Sequence, residues 1–423
     1  MTAGLIVLVF LIFAGLMMVR WMPAILAIPA MAVSVALVAR TPPKVVLEQV
    51  VTNGSARLAG QYLMVIAGAL LGRVVMQTGI AESMIRRAAE FGGDRPLVVA
   101  LTMMVAVAWL FTTLTGLGAV IMVGSLALPI MMSIGVPRKL AGILFLLAFA
   151  LGFVFNIGMW GFYQGTFNIE PGEIRRFAII LAVIDVVILG LFVLIASRRM
   201  RFYGAWAVQA DDSGETSESS GRKYVPLLAL AVPVVPLVLH TVFGVPVVAA
   251  FLIGAVLGVL LTRPKELVRQ LSSAAVRGVE DVAPAVILMI GIGMLLNATT
   301  LPTVKGALGP LVGSIKFTSP VVYVLFFGLL SPLALYRGPL NLYGIGIGIF
   351  LLIRDLNLIP SLALLAAVMS LVQVQNTCDP TNTHNVWVSN FVGMQVEELT
   401  RRTILFKMAV CLIGLIAGAL IYL

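Results

Sequence analysis

The chain has 423 residues, of which 61% are hydrophobic and 11% charged, and its formal net charge is +10. A soluble domain carries roughly 25% charged residues, so a soluble fold of this length is excluded. The basic residues fall in loops and form no basic-aromatic patch, so the positive charge reads as retention of loops on the cytoplasmic face and not as nucleic-acid binding.

Apolar runs of about 17–25 residues cross a bilayer core as helix. Such runs fall at residues 4–19, 22–39, 58–80, 140–157, 174–197, 225–243, 245–262, 283–304, 359–376 and 402–422. Alternating barrel strands are absent, so the predicted class is an all-α polytopic membrane protein, with backbone groups satisfied inside each helix. Residues Leu5 to Val19 lack a basic leading segment and a small-x-small cleavage site, and are read as a spanning helix, not a removable signal. Two further stretches, 96–134 and 317–355, are each long enough for two helices but are interrupted. The interruptions are Thr112-Thr113-Leu114-Thr115-Gly116 and Tyr336-Arg337-Gly338-Pro339-Leu340-Asn341. Polar, Gly and Pro residues at membrane depth mean unwound backbone lining a cavity, so both stretches are predicted re-entrant hairpins. Between the halves, Asp211 to Arg222 is rich in Ser, Gly, Glu and Asp, and residues 200–223 are predicted to be a flexible cytoplasmic linker.

The halves resemble one another. Each hairpin leads through a proline, Pro137 or Pro360, into a helix ending in polar residues, Asn156 or Asn376 to Asn382. Each then reaches an acidic-basic opening, Gly172 to Arg176 or Glu397 to Arg402. The prolines are 223 residues apart, the signature of an internal repeat. Tracing the spans gathers most of the Arg and Lys on one side, which the positive-inside rule makes cytoplasmic and which puts both termini outside. Five spans plus a hairpin in each half mean that the second half enters from the opposite face. The expected organisation is a first repeat at 1–199, the linker, and a second, inverted repeat at 224–423, in an inner membrane.

Four breaks would then meet near the midplane. Half-helix N-termini after Gly116, Gly158, Gly338 and Asn382 would offer free N–H groups and positive dipole ends to an anion. Half-helix C-termini would offer carbonyls to a coupling cation. Substrate contacts are assigned to Thr113, Thr115, Gly116, Asn156, Arg337, Gly338, Asn341, Thr381 and Asn382. Cation or proton coupling is assigned to Asn376, Thr377, Asp379, His384 and Asp185. Arg337 reads as a fork for a substrate carboxylate or as the partner of Asp379. Asp379 reads as a cation ligand, a proton acceptor or that partner. His384 reads as a proton relay or a hydrogen-bonded histidine, and Asp185 as part of a proton path or half of a buried pair. Arg73 and Lys407 are expected to snorkel, Glu280 and Asp281 to be N-terminal charges of the span from 283, and His240 to be interfacial. Cys378 and Cys411 lie in apolar segments and read as small buried residues. Gly344, Gly346 and Gly348 follow no strand, so they read as helix packing, not as a dinucleotide loop. No nucleophile–base pair stands at a break, so an enzyme is not expected. No cofactor is implied beyond a coupling Na+ or H+, and no metal beyond a transported Na+.

The run Gly72-Arg73-Val74-Val75-Met76-Gln77-Thr78-Gly79-Ile80-Ala81-Glu82, followed by an interrupted hairpin, resembles the ion transporter superfamily. That group includes citrate, dicarboxylate and gluconate carriers and the large membrane subunit of tripartite carriers that use a periplasmic binding protein. The stretch Asp379-Pro380-Thr381-Asn382-Thr383-His384-Asn385-Val386-Trp387, with Phe391-Val392-Gly393-Met394, is similar to the close of the gluconate permease branch. The resemblance implies a homodimer in the lipid bilayer, with a scaffold and a mobile transport domain working as an elevator. Sodium-coupled dicarboxylate members carry Ser-Asn-Thr at both hairpin tips, where this chain has Thr113-Leu114-Thr115 and Arg337-Gly338-Pro339. The leading expectation is a cation-coupled symporter of a small organic anion. The alternatives are a cation antiporter using Asp379 and Asp185, and a membrane subunit that needs a soluble partner.

Overall fold

The computed structural model describes residues 2–18, 21–93, 95–199, 225–312, 319–336, 338–343, 346–355 and 357–423. The predicted linker and Arg337, the proposed carboxylate fork, lie outside the described residues. All regular structure among the described residues is helical. The first series is α1 (Thr2–Met18), α2 (Ala24–Val38), α3 (Pro43–Gln77), α4 (Ile80–Gly92), α5 (Pro96–Phe111), α6 (Gly116–Ser133), α7 (Arg138–Val154), α8 (Ile157–Phe167) and α9 (Pro171–Arg199). The second is α10 (Leu227–Phe243), α11 (Val247–Thr262), α12 (Pro264–Thr300), α13 (Pro302–Val312), α14 (Pro320–Leu329), α15 (Gly346–Asp355), α16 (Ser361–Cys378), α17 (Thr383–Phe391) and α18 (Val396–Tyr422).

Each helix of the second series starts roughly 220–230 residues after its counterpart. Two counterpart pairs also pack antiparallel. Along α3 and α12, Asn297 donates to the carbonyl of Gln49, Gly54 meets Met294, Gly278 meets Ala69, and Gln77 reaches Ser273. Small residues permit this approach: a Cβ on Gly54 would lie 2.8 Å from the Cα of Met294, closer than any side chain tolerates. Along α9 and α18, Phe177 meets Tyr422, Lys407 meets Asp185, and Phe192 stacks edge-on against Phe406.

Six helical runs among the described residues are long and apolar enough to cross a membrane, or seven if α7 and α8, bent by 51° at their junction, count as one. The runs read at 4–19, 22–39, 225–243 and 245–262 are apolar helices of 10–17 residues. Two expected boundaries move. The span expected at 58–80 begins at Pro43, and the span expected from 283 is part of α12, which starts at Pro264. Glu280 and Asp281 therefore sit inside a helix and not at its opening. In the second hairpin, α14 ends at Leu329, a 3-10 turn covers Ser331–Ala334, and the next helix opens at Gly346. No helix begins directly after Gly338, as the sequence reading expected.

Two apolar cores form. One surrounds α7 and draws on α3 to α6, and the other surrounds α16 and draws on α2, α8 and α12. Every residue of α16 from Ala363 to Cys378 is buried, so the polar residues Gln373, Gln375, Asn376 and Thr377 lie inside packed protein, away from lipid.

Candidate functional site

The first break is closed by one side chain. Asn156 is fully buried and caps α8 by accepting from the amide of Met159 at 3.1 Å, as short polar side chains do at helix starts. Its Nδ2 donates to the carbonyls of Phe111 (3.0 Å) and Leu114 (3.1 Å) in the first hairpin tip. The amide of Ile157 adds a bond to the carbonyl of Thr112. The chain turns into α6 through Thr115 and Gly116, whose φ of +85° suits glycine.

Asp379 does the same work at the second break, 223 residues on. Its Oδ1 accepts from the amides of Tyr336 (3.0 Å) and Thr381 (2.9 Å) and from the Thr381 hydroxyl (2.7 Å). Its Oδ2 accepts from Asn341 Nδ2 at 2.9 Å. All four donors are neutral. They hold Tyr336 at a φ of 54°, an outlier for an aromatic residue. Asn341 also donates to the carbonyl of Ala334 and accepts from the amide of Tyr343, so it pins the tip to itself.

The carbonyls released where α16 ends are not bare. Asn382 Nδ2 donates to Gln375 O, His384 Nε2 to Asn376 O, Thr400 Oγ1 to Cys378 O, and Asn385 Nδ2 to Asp379 O. Side chains thus satisfy the orphan acceptors of Gln375, Asn376 and Cys378 at this helix end. A carbonyl accepts only, so His384 carries a proton on Nε2; its ring stacks on Phe149 of α7 at 4.7 Å.

What remains open is a set of side-chain atoms. Gln375 Nε2, Asn376 Nδ2, Thr377 Oγ1, Asn385 Oδ1 and Ser389 Oγ are buried and have no hydrogen-bond partner among the described residues, and Thr115 Oγ1 at the first tip is likewise open. Buried polar atoms are otherwise paired in the great majority of cases, and leaving one unpaired costs about 1–3 kcal/mol. Donors and acceptors together suit a polar solute. The sequence reading found Asn376 and Thr377 but passed over Gln375, Asn385 and Ser389. Two glutamines at spacing two within an apolar helix were the signal.

Other expected site residues lie apart. Thr113 is fully buried and bonds weakly to Leu110 O at 3.4 Å. Asp185 is not at the breaks: both its oxygens accept from Lys407 Nζ, at 2.8 and 2.9 Å, and Gln373 completes the cluster at 3.3 Å. Lys407 is 1% exposed, so it does not snorkel. Arg73 does not snorkel either; it forms a two-armed ion pair with Asp281 of α12.

The halves touch at the centre through the Phe149–His384 contact, through Tyr343 against Met159, and through Trp387, whose ring lies on Gly124 of α6. A cleft of about 500 Å³ between α3, α6 and α12 is lined by Gln77, Ser125, Arg269, Ser273 and Arg277. A second, of about 520 Å³, is lined by Arg57, Lys305, Arg354 and Asp355. Arg57 and Gln77 are some 30 Å apart along α3 at 1.5 Å per residue, the thickness of a bilayer core. Both clefts carry more Arg and Lys than acidic residues.

This is the fold of a multi-pass helical membrane protein. The chain is similar to the crystal structure of the YdaH transporter of Alcanivorax borkumensis, a protein of unusual topology, with a TM-score of 0.56 and 16% identity over 86% of this chain and 87% of that one. No protein-family model and no curated protein matches the chain.

Proposed function

We propose that the chain is a secondary active transporter of a small organic anion, cation-coupled, built from two inverted repeats (1–199 and 224–423) joined by a cytoplasmic linker. The observation that carries this reading is the set of buried, unpartnered polar atoms on α16 and α17, on either side of the break where Asp379 latches the second hairpin tip as Asn156 latches the first. A polar solute is what such groups lack. The excess of Arg and Lys in both clefts favours an anion on each side of the barrier. The antiparallel packing of α3 on α12 and of α9 on α18 supports an inverted repeat. Transport is by an elevator-like movement in a homodimer of the inner membrane, with Asp379 and His384 as coupling groups and Thr115, Thr381 and Arg337 meeting the substrate. The fold of the YdaH transporter supports transport over catalysis.

The test is a thermal-shift screen of purified protein against small carboxylates with and without sodium, followed by uptake into proteoliposomes. A ligand of the native state raises its stability by mass action. A shift with one acid, and accumulation of that acid under a proton or sodium gradient, is the expected result. Gradient-driven Na+/H+ exchange with no acid bound or moved would replace this reading with an antiporter.

A further inference from the structure

The Arg73–Asp281 pair occupies an unusual place. Gln77 on α3, Met122 on α6 and Arg277 on α12 line the first cleft. One helical turn along the same three helices are Arg73, Gly118 and Asp281, so the pair lies one turn beyond that cleft's lining. Arg73 holds Asp281 through Nε and Nη2, one donor to each carboxylate oxygen, the fork geometry that guanidinium offers any carboxylate. The carboxylate also lies against the first turn of α6. A Cβ on Gly118 would come within 2.9 Å of Asp281 Oδ1, and one on Gly116 within 3.7 Å of its backbone oxygen. A side chain at 118 would therefore require the Asp281 carboxylate to shift, whereas at 116 the contact would be ordinary. The buried, unpartnered Thr115 Oγ1 is in the same tip. The side chains of Arg73 and Asp281 are 20% and 16% exposed, and the cleft above them carries Arg269 and Arg277 against Glu82, a net positive charge that draws anions in.

We propose that Arg73 and Asp281 form a carboxylate-exchange gate: Asp281 fills the seat at the first hairpin tip in the absence of substrate, and an arriving carboxylate displaces it from Arg73. The proposal rests on the organic-anion reading above. Exchange keeps the guanidinium paired throughout, so no bare cation is left at membrane depth. It also releases α12 from the hairpin as the anion binds, which ties occupancy to hairpin movement.

The test measures binding of succinate, citrate and gluconate to the purified full-length protein by calorimetry, with thermal unfolding alongside. Asp281→Asn removes the competitor and keeps its shape. It lowers the unliganded midpoint and tightens the best probe about tenfold or more, the range that coupled charge pairs reach. Arg73→Ala abolishes binding. Gly118→Ala narrows the seat for any carboxylate while keeping both charged residues: its Cβ would press on Asp281 Oδ1, so it lowers the unliganded midpoint and also weakens the probe. The charge-swapped double variant Arg73→Asp/Asp281→Arg recovers the midpoint but not the binding. Wild-type binding that persists in the swapped variant, or is unchanged in Asp281→Asn and Gly118→Ala, makes the pair a static strut and overturns the gate while leaving the anion reading intact. A wild type that binds none of the acids removes the anion reading itself, and the gate with it.

Discussion

At the level of single residues, the two latches use different chemistry at the same position. Asn156 supplies both donors and an acceptor, while Asp379 only accepts. Asp379→Ala strands two backbone amides and the Asn341 amide, at about 1–3 kcal/mol for each orphaned donor. Thermal unfolding in detergent should therefore show a large loss, and Asp379→Asn, which keeps one carbonyl acceptor, a smaller one; equal losses would mean that the hydrogen bonds do not hold the tip. The Asp185–Lys407 pair gives a second expectation. Lys407→Ala leaves a buried carboxylate alone and should cost about 3–5 kcal/mol, whereas Asp185→Leu with Lys407→Met should recover most of that. If the double variant also transports with an unchanged pH profile, the pair is structural; a lost pH profile would return Asp185 to the proton path. Asp379, Asn156 and Asp185 were legible because a polar residue in an apolar run stands out. Arg73 and Lys407 were misread because their partners, Asp281 and Asp185, lie 208 and 222 positions away in sequence, a distance no local pattern spans.

At the level of helices, most breaks were legible and several boundaries were not. Thr112–Gly116 and the polar residues after Thr377 interrupt apolar periodicity, and the backbone unwinds at both. The start of α12 was missed because Arg269, Arg277, Glu280 and Asp281 lower the hydropathy of its first half. A helix continues through charge when those charges face a cleft or a partner, as Arg277 and Asp281 do. Packing along α3 was invisible to sequence for a related reason: its glycines look alike but meet different surroundings. A Cβ on Gly54 meets the backbone of Met294, while one on Gly60 meets nothing within 4 Å. Gly54→Ala should therefore destabilise by about 1–3 kcal/mol through overpacking. Gly60→Ala should be neutral or stabilising by up to about 1 kcal/mol through helix propensity. Thermal midpoints of the two variants, measured side by side, decide whether backbone contact at Gly54 sets the α3–α12 crossing; a neutral Gly54→Ala would refute it.

At the level of the whole molecule, composition alone dictated the helical membrane class, and the spacing of Pro137 and Pro360 anticipated the spacing of the helix starts. What composition does not show is which parts move. The two clefts, about 30 Å apart along α3 at 1.5 Å per residue, set the direction: α6, with its hairpin, borders the first cleft, and α12 forms the facing wall. An elevator requires these walls to change separation during each cycle. Ser125→Cys on α6 and Arg269→Cys on α12 place thiols on the two walls, and the native Cys378 and Cys411 are buried and shielded from bulky reagents. Bridging the new pair with a bifunctional thiol reagent should abolish proteoliposome uptake of the acid found by thermal shift, and a reductant that cleaves the bridge should restore it. Thr41 and Thr303, whose hydroxyl oxygens are 2.7 Å apart, join the chain just before α3 to the first turn of α13, at the far end of α3 from the walls of the first cleft. A disulfide at Thr41→Cys/Thr303→Cys should leave uptake unchanged. Uptake that continues with the cleft walls bridged would show that they stay fixed, and the substrate would then have to cross by rearrangement of the hairpin tips alone.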